Sequence, residues 1–336
     1  MADCFENLEV GAKRAHLLSV AERALPSWGI PRDATLTLLN ISENATYRVD
    51  DPGSAAPTIL RVHRTGYHSR NAVLTELAWM RALREEASVE TPRALTARDG
   101  ELVQSVASPD LAEERFVVMF EFVAGSEPEA DALLEPFADL GEIAARMHRH
   151  ARGWARPACF ERLDWSFEGA LGMRANWGDW REGPGLDPER RALLQRAVDT
   201  VERRLRRFGK DESRFGLIHA DLRLANLLIH EGTVRVIDFD DSGVSWFLYD
   251  LATALTFMED RDDLEELIGA WLGGYRREAS LSEEEEREIP TFLMLRRLTA
   301  LAWLGSHRDT ELALEQGTPY TDATVGIAET YLSRFG

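Results

Sequence analysis

The run His219-Ala220-Asp221-Leu222-Arg223-Leu224-Ala225-Asn226, followed closely by the apolar stretch Val234-Arg235-Val236-Ile237 that ends in Asp238-Phe239-Asp240-Asp241, constrains this chain more than any other part of it. Three polar residues stand at fixed offsets, His-x-Asp-x4-Asn, inside an apolar frame of Leu217-Ile218 before and Leu227-Leu228-Ile229 after. A short turn, His230-Glu231-Gly232-Thr233, then leads into the second apolar run and its carboxylates. Phosphoryl transfer from a nucleotide asks for this inventory: a carboxylate that orients an acceptor hydroxyl, with oxygen ligands for magnesium beside it. In this reading Asp221 is the orienting carboxylate, Asn226 one metal ligand, and Asp238, at the end of a buried strand, the other. A hairpin whose Asp and Asn merely cap turns would leave the coupling of the two runs unexplained.

On these residues the sequence resembles the aminoglycoside phosphotransferase/choline kinase-like family, whose fold is related to that of the eukaryotic protein kinases. Within it, the branch with homoserine kinase type II and stress response kinase A is the most similar. The resemblance runs from about Leu36 to Leu255, and the C-terminal helices match only in kind. It implies an α+β, bilobal protein-kinase-like fold, with a small antiparallel-sheet N-terminal lobe carrying one main helix and a larger, mostly helical C-terminal lobe. Residues 1–123 would form the nucleotide-binding lobe and 124–336 the catalytic and acceptor-binding lobe, the boundary falling at Ala124-Gly125, where Ser, Glu and Pro follow.

Composition narrows the class. With 336 residues, 44% of them hydrophobic, the chain can bury a large core. The first 29 residues carry early acidic groups and no long apolar run, and the most apolar stretch, Val244 to Met258, is short and broken by Asp250, so no signal peptide or membrane span is expected. A cytoplasmic enzyme follows. Cys4 and Cys159 lie far apart, without the spacing of a zinc site or a disulfide framework. A net charge of −19 argues against a nucleic-acid surface and favours a cationic acceptor. Glu283 to Glu286 read as a solvated helix start with Ser282 as its N-cap.

Along the chain, Ala12 to Leu25 is helical in pattern and ends near Pro26. Thr35 to Leu39 and Tyr47 to Val49 read as strands of a hairpin with a polar turn between them. The resemblance sets that turn over the nucleotide phosphates, where Ser42, Asn44 and Thr46 offer hydroxyl, amide and backbone donors in place of a glycine-rich loop. On the next strand, Thr58 to His63, Arg61 occupies the position where the family usually has a lysine that pairs with the α- and β-phosphates. Asn71 to Glu85 has helical spacing, and Glu76 matches the carboxylate that pairs with the strand cation. Arg115 to Val123 reads as a buried strand leaving the first lobe, and Met119, Glu121 and Val123 along its end as the purine edge.

Phe137 to His150 and Pro188 to Gly209 are helical in pattern. His148 and His150, two apart on a helix, point away from each other and read as packing or surface residues. The arginines 203, 204, 206 and 207 read as partners in intramolecular ion pairs. Arg152 to Gly185 is irregular and rich in tryptophan, the mark of an anchored insertion. Helices are also expected near 263–276, 283–307 and 322–332.

The resemblance implies ATP and Mg2+ as cofactors. Arg223 stands two positions after Asp221, where many family members have histidine, and would bring positive charge to the transition state. Asp240 would bind or tune the metal, His219 would brace the loop, and Asp250 would hold that loop from a helix start. The partners implied are a nucleotide and a hydroxyl-bearing, cationic acceptor, with no nucleic acid and no membrane. The acceptor stays open between a small molecule, such as an aminoglycoside, an amino alcohol or a homoserine-like compound, and a protein serine or threonine. A nucleotide-binding pseudokinase is the third reading.

Overall fold

The computed structural model describes residues 5–41, 44–108, 111, 113–128 and 133–336. Contacts divide the chain into two compact units. The first holds the chain up to Ala82, Thr91–Ala124 and Arg156–Glu161; the second holds Leu83–Glu90, Gly125–Ala155 and Arg162–Gly336. Two segments thus lie across the division expected at 123/124. Arg156–Glu161 joins the first unit, where the Thr75 hydroxyl donates to the Cys159 carbonyl (3.1 Å). Leu83–Glu90 joins the second, where Glu90 bridges to Arg235.

The first unit is built on a five-stranded antiparallel sheet. Its strands are β1 (Thr35–Ile41), β2 (Ala45–Asp50), β3 (Thr58–Val62), β4 (Val103–Ser108) and β5 (Glu113–Glu121), in the order β1-β2-β3-β5-β4. The period-two pattern of β2 explains its place: Ala45, Tyr47 and Val49 are buried while Thr46, Arg48 and Asp50 are half-exposed. The buried set packs against Leu17, Val20, Ala21 and Ala24 of α1 (Val10–Ala24) and against Leu60 and Val62 of β3. α1 stops at a 3₁₀ turn, Leu25–Trp28, which Gly29 closes in the left-handed region (φ 78°). The register Thr46↔Arg61 and Arg61↔Val118 puts Arg61 in the central strand. α2 (Arg70–Glu86) supplies its carboxylate partner.

The second unit is mostly helical. Its helices are α3 (Leu134–Gly153), α4 (Phe167–Leu171), α5 (Pro188–Phe208), α6 (Leu248–Ala254), α7 (Leu264–Tyr275), α8 (Glu283–Ser306) and α9 (Glu311–Phe335). Short strands complete it: β6 (Leu163–Asp164), β7 (Phe215–Ile218), β8 (Leu227–His230), β9 (Thr233–Val236) and β10 (Gly243–Trp246), arranged as a β6-β10-β7 sheet and a β8-β9 hairpin. α3 and α7 approach so closely that a Cβ on Gly141 would sit 1.9 Å from the Trp271 carbonyl oxygen, and one on Gly274 1.8 Å from that of Ala138. α8 starts at a capping box between Ser282 and Glu285 and is buried on all sides from about Ile289 to Gly305. The last helix begins eleven residues before the expected 322, because Thr310 caps it through the Ala313 N–H (3.3 Å); Gly317 (φ 44°) breaks the periodicity that marks it in the sequence.

Trp165, Trp177 and Trp180 are buried and anchor the irregular 152–185 segment. Arg204 pairs with Glu288 and Arg206 with Glu202, so the basic face of α5 is answered within the chain. Among the described residues, no helix is long and apolar enough to cross a membrane.

Candidate active site

The link between the two sequence runs is a hairpin. Pairing of Leu227 with Val236 across β8 and β9 returns the chain beside its own start, and the Ile237 N–H donates to the Asn226 carbonyl (2.9 Å). His219 closes the same junction: its Nε2 lies 3.1 Å from the Ile237 carbonyl, and its ring packs 4.5 Å from that of the fully buried Phe239. His219 is thus packed into the junction between the loop and the hairpin.

The loop itself is held from α6. Asp250 accepts from the Ala220 N–H at Oδ1 (2.8 Å) and from the His219 N–H at Oδ2 (3.2 Å), and the Thr253 hydroxyl accepts from the Leu222 N–H (3.1 Å). These bonds sustain Ala220 in the left-handed region (φ 65°), a conformation that costs a non-glycine residue on the order of 1 kcal/mol or more. His148 is buried behind Asp250, with Nε2 2.9 Å from its Oδ2 and Nδ1 3.1 Å from the Tyr275 hydroxyl. His148 is thus a supporting residue of the loop, while His150 lies 3.1 Å from Glu86.

Asp221 sits among cations. Arg296 donates from Nη2 to its Oδ1 (2.8 Å), and Arg223 donates from Nε to its Oδ2 (3.2 Å). Asn226 donates from its amide nitrogen to the Asp221 carbonyl (2.8 Å) and to Oδ2 (3.0 Å). Burial works to raise the Asp221 carboxyl, but Arg223, Arg296 and His219 outweigh it and hold it below its ordinary range. Asp221 in turn raises the Arg223 guanidinium. A carboxylate kept ionised and fixed at both oxygens is suited to orienting a hydroxyl. Because Asn226 spends its nitrogen on Asp221, its amide oxygen is left for a cation.

Asp238 follows β9 in the left-handed region (φ 60°), a position that turns the chain sharply out of the strand. Arg162 fixes the turn beyond it, donating to the carbonyls of Phe239 (3.2 Å), Asp240 and Ser242 (2.5 Å). Trp165 adds a bond from Nε1 to the Asp241 carbonyl (2.6 Å). The Asp240 side chain is buried within this turn. Among the described residues no three His, Cys, Asp or Glu side chains form a metal cage. One amide oxygen and one or two carboxylates fit a hard divalent ion that keeps water and phosphate as its other ligands.

In the first unit, Arg61 donates from Nη2 to Glu76 Oε1 (2.6 Å), and both side chains are buried. The pairing expected from the sequence is present, and Arg61 is no solvent-facing strand residue. Thr46 stands opposite Arg61 in the register, half-exposed. Asn44 accepts from the Arg64 N–H at Oδ1 (3.0 Å) and so braces the hairpin, while Ser42 lies outside the described residues. Met119 is a core residue whose carbonyl accepts from the Leu95 N–H (2.7 Å), and the Glu121 N–H donates to the Arg93 carbonyl (2.9 Å). Of the purine-edge residues, the structure leaves Glu121 exposed and Val123 half-exposed.

Arg296, Arg162 and Trp165, which hold this loop and turn, belong to no motif in the sequence. Only Arg296 left a trace in the sequence: Arg296-Arg297 stands in the middle of the apolar run Phe292 to Leu301, and a buried arginine needs anionic or carbonyl partners.

An antiparallel sheet with a buried Arg–Glu pair, and a helical unit with a braced carboxylate beside amide and carboxylate metal donors, define a phosphotransferase of kinase-like architecture. The chain belongs to the phosphotransferase enzyme family, whose model matches residues 35–286. It is similar to the solved structure of a microcompartment-associated aminopropanol kinase, at 42% identity and a TM-score of 0.88, over 95% of this chain and 98% of that one. It is 26% identical to amicoumacin kinase of Bacillus subtilis, over 91% of this chain and 94% of that protein. The amicoumacin kinase hAmiN, solved with AMP-PNP, Ca2+ and Ami, shares the fold at a TM-score of 0.75 and 22% identity, over 96% of this chain and 95% of that one. The chain is accordingly a kinase, an ATP-dependent phosphotransferase acting on an alcohol group.

Proposed function

We propose that the chain transfers the γ-phosphoryl group of Mg-ATP to the hydroxyl of a small amino alcohol. The observation that carries this reading is the fixed, ionised Asp221 beside the free amide oxygen of Asn226. Asp221 orients the acceptor hydroxyl and takes its proton late; the hydroxyl oxygen forms the new P–O bond as the bond to the leaving ADP breaks. Arg223, one-third exposed and held to Asp221 by a single bond, supplies positive charge to the transferring group. Asn226 and Asp238, with Asp240 behind them, would hold the magnesium, which neutralises phosphate charge when bound.

Residues 1–123 serve the nucleotide in this reading: Arg61, positioned by Glu76, for phosphate; Ser42, Asn44 and Thr46 for the hairpin contact; and Met119, Glu121 and Val123 for the base. Residues 124–336 serve catalysis and the acceptor. The likeness to an aminopropanol kinase supports an amino alcohol over a protein hydroxyl, and the net charge of −19 supports a cationic acceptor. Dependence on ATP supports a cytoplasmic location.

The test is transfer of labelled γ-phosphate from Mg-ATP to aminopropanol, choline, homoserine, an aminoglycoside and a basic protein, by wild type and by Asp221→Asn. Label on the amino alcohol, reduced roughly 10²- to 10⁴-fold in Asp221→Asn with ATP binding retained, is expected. Equal turnover by the two proteins would overturn the reading, and label on protein alone would return the acceptor to the protein-kinase branch.

A further inference from the structure

The catalytic loop has a second anchor that comes from the far end of the chain. Arg296, on the central helix α8, uses each of its three guanidinium nitrogens on a different partner. Nη2 donates to Asp221 Oδ1 (2.8 Å), Nη1 to the Ala220 carbonyl (3.3 Å) and Nε to the Thr256 hydroxyl (2.8 Å). Its side chain is 3% exposed, against 33% for Arg223. The Trp177 ring centroid lies 4.8 Å from the guanidinium carbon and that of Tyr249 5.9 Å away, so the plane of the fork is confined by aromatic faces. The two arginines on Asp221 therefore differ in kind: one is half-exposed and held by one bond, the other enclosed and held by three.

We infer that Arg296 is a positioning residue for phosphoryl transfer, a rigid fork that sets the orientation of the Asp221 carboxylate and leaves Arg223 free to leave Asp221 for the transferring phosphate. The planar fork is what allows this. Three nitrogens in fixed relation fix the rotation of Asp221 relative to Ala220 and Thr256, which a single ammonium cannot do even though it carries the same charge. A carboxylate turned away from its line of action loses rate without loss of nucleotide binding, because misplacement by about 1 Å costs roughly 10²-fold in the chemical step. The Thr256 hydroxyl accepts from Arg296 and donates to the Thr253 carbonyl, so its removal tests the fork through a bond that is not made to the carboxylate.

The clamp rests on Asp221 being the catalytic carboxylate, and the variants separate the two. Arg296→Lys keeps the charge and removes the fork; Thr256→Val removes one acceptor of the fork at nearly constant volume. Both are compared with wild type for kcat and KM toward Mg-ATP and aminopropanol, for nucleotide affinity by calorimetry, and for Tm. Arg296→Lys is expected to lower kcat by roughly 10²-fold with nucleotide affinity unchanged, and Thr256→Val to lower it less and in the same parameter. In the Asp221→Asn background the further change Arg296→Lys is expected to cost no more than about twofold, since residues that act as a unit are not additive. Wild-type kcat in Arg296→Lys, losses that multiply in the double variant, or a rise in KM alone would overturn the clamp. Full transfer by Asp221→Asn alone would bring down the assignment of Asp221 and the clamp together. If Arg296→Lys fails to fold, Thr256→Val decides: unchanged kcat in it overturns the clamp.

Discussion

At the residue scale, the first unit buries opposite charges only where they meet as a pair. Arg61 and Glu76 lie 2.6 Å apart, with side chains 8% and 0% exposed. Removing one member of such a pair leaves the other's charge to be accommodated out of water, which typically costs 3–5 kcal/mol. Glu76→Ala is therefore expected to lower stability by about 3 kcal/mol in urea unfolding and to raise the KM for ATP. Undiminished stability would show that the pair is not a buried one in solution. Asp238 behaves differently, since its proposed work is on the metal. Asp238→Ala is expected to weaken nucleotide binding in the presence of magnesium by at least about tenfold, with little effect on binding without it, as read by calorimetry with and without a chelator.

At the element scale, helix contacts determine where the site residues stand. α3 carries His148 and α7 carries Tyr275, so the crossing of these helices sets the buried His148 that backs Asp250. Gly141 and Gly274 permit that crossing, because each would place a Cβ less than 2 Å from a carbonyl oxygen of the facing helix. Gly274→Ala must push the helices apart, and overpacking of this kind costs roughly 1–3 kcal/mol or more. The expected result is a lowered Tm together with a lowered kcat, because the loop's support moves with α7. Gly269→Ala, on the same helix with open space at its Cβ, is the control and should keep both.

At the scale of the whole molecule, the acidic charge predicts a pH response whose sign follows from linkage. Asp50 is lowered chiefly by its hydrogen bond with Arg48, Asp99 by Gln104, Asp211 by Ser213, Asp263 by Arg261, and Glu278 by Arg146 and Arg149. Folded carboxyls below their unfolded values give stability that is present above the unfolded pKa of about 4 and is lost as pH falls through the folded values. Glu259 and Asp139, both raised by burial, act in the opposite direction: their contribution is full at low pH and is lost as pH rises through their folded values. Among the described residues the lowered groups outnumber the raised ones, so Tm is expected to fall as pH is reduced below about 4. A Tm independent of pH from 6 to about 3 would contradict this balance.

Local order along the chain made the candidate motif and most of the helices and strands readable before any packing was known. His219, Asp221, Asn226 and Asp238 stand out in the sequence because one loop and the adjacent hairpin carry them, and pairing across that hairpin keeps the neighbouring stretches of chain together. Strand alternation in β2 and helical periodicity in α3 and α5 were legible for the same local reason. The start of α9 was obscured by Gly317, whose conformation breaks the helical period. Which distant side chains complete the local motif depends on packing. Arg296 reaches Asp221 across 75 residues, Arg162 reaches Asp240 across 78, and His148 reaches Asp250 across 102. No periodicity encodes such meetings: they arise when helices and strands pack to bury their apolar faces, and the polar groups carried inward find their hydrogen-bond partners there.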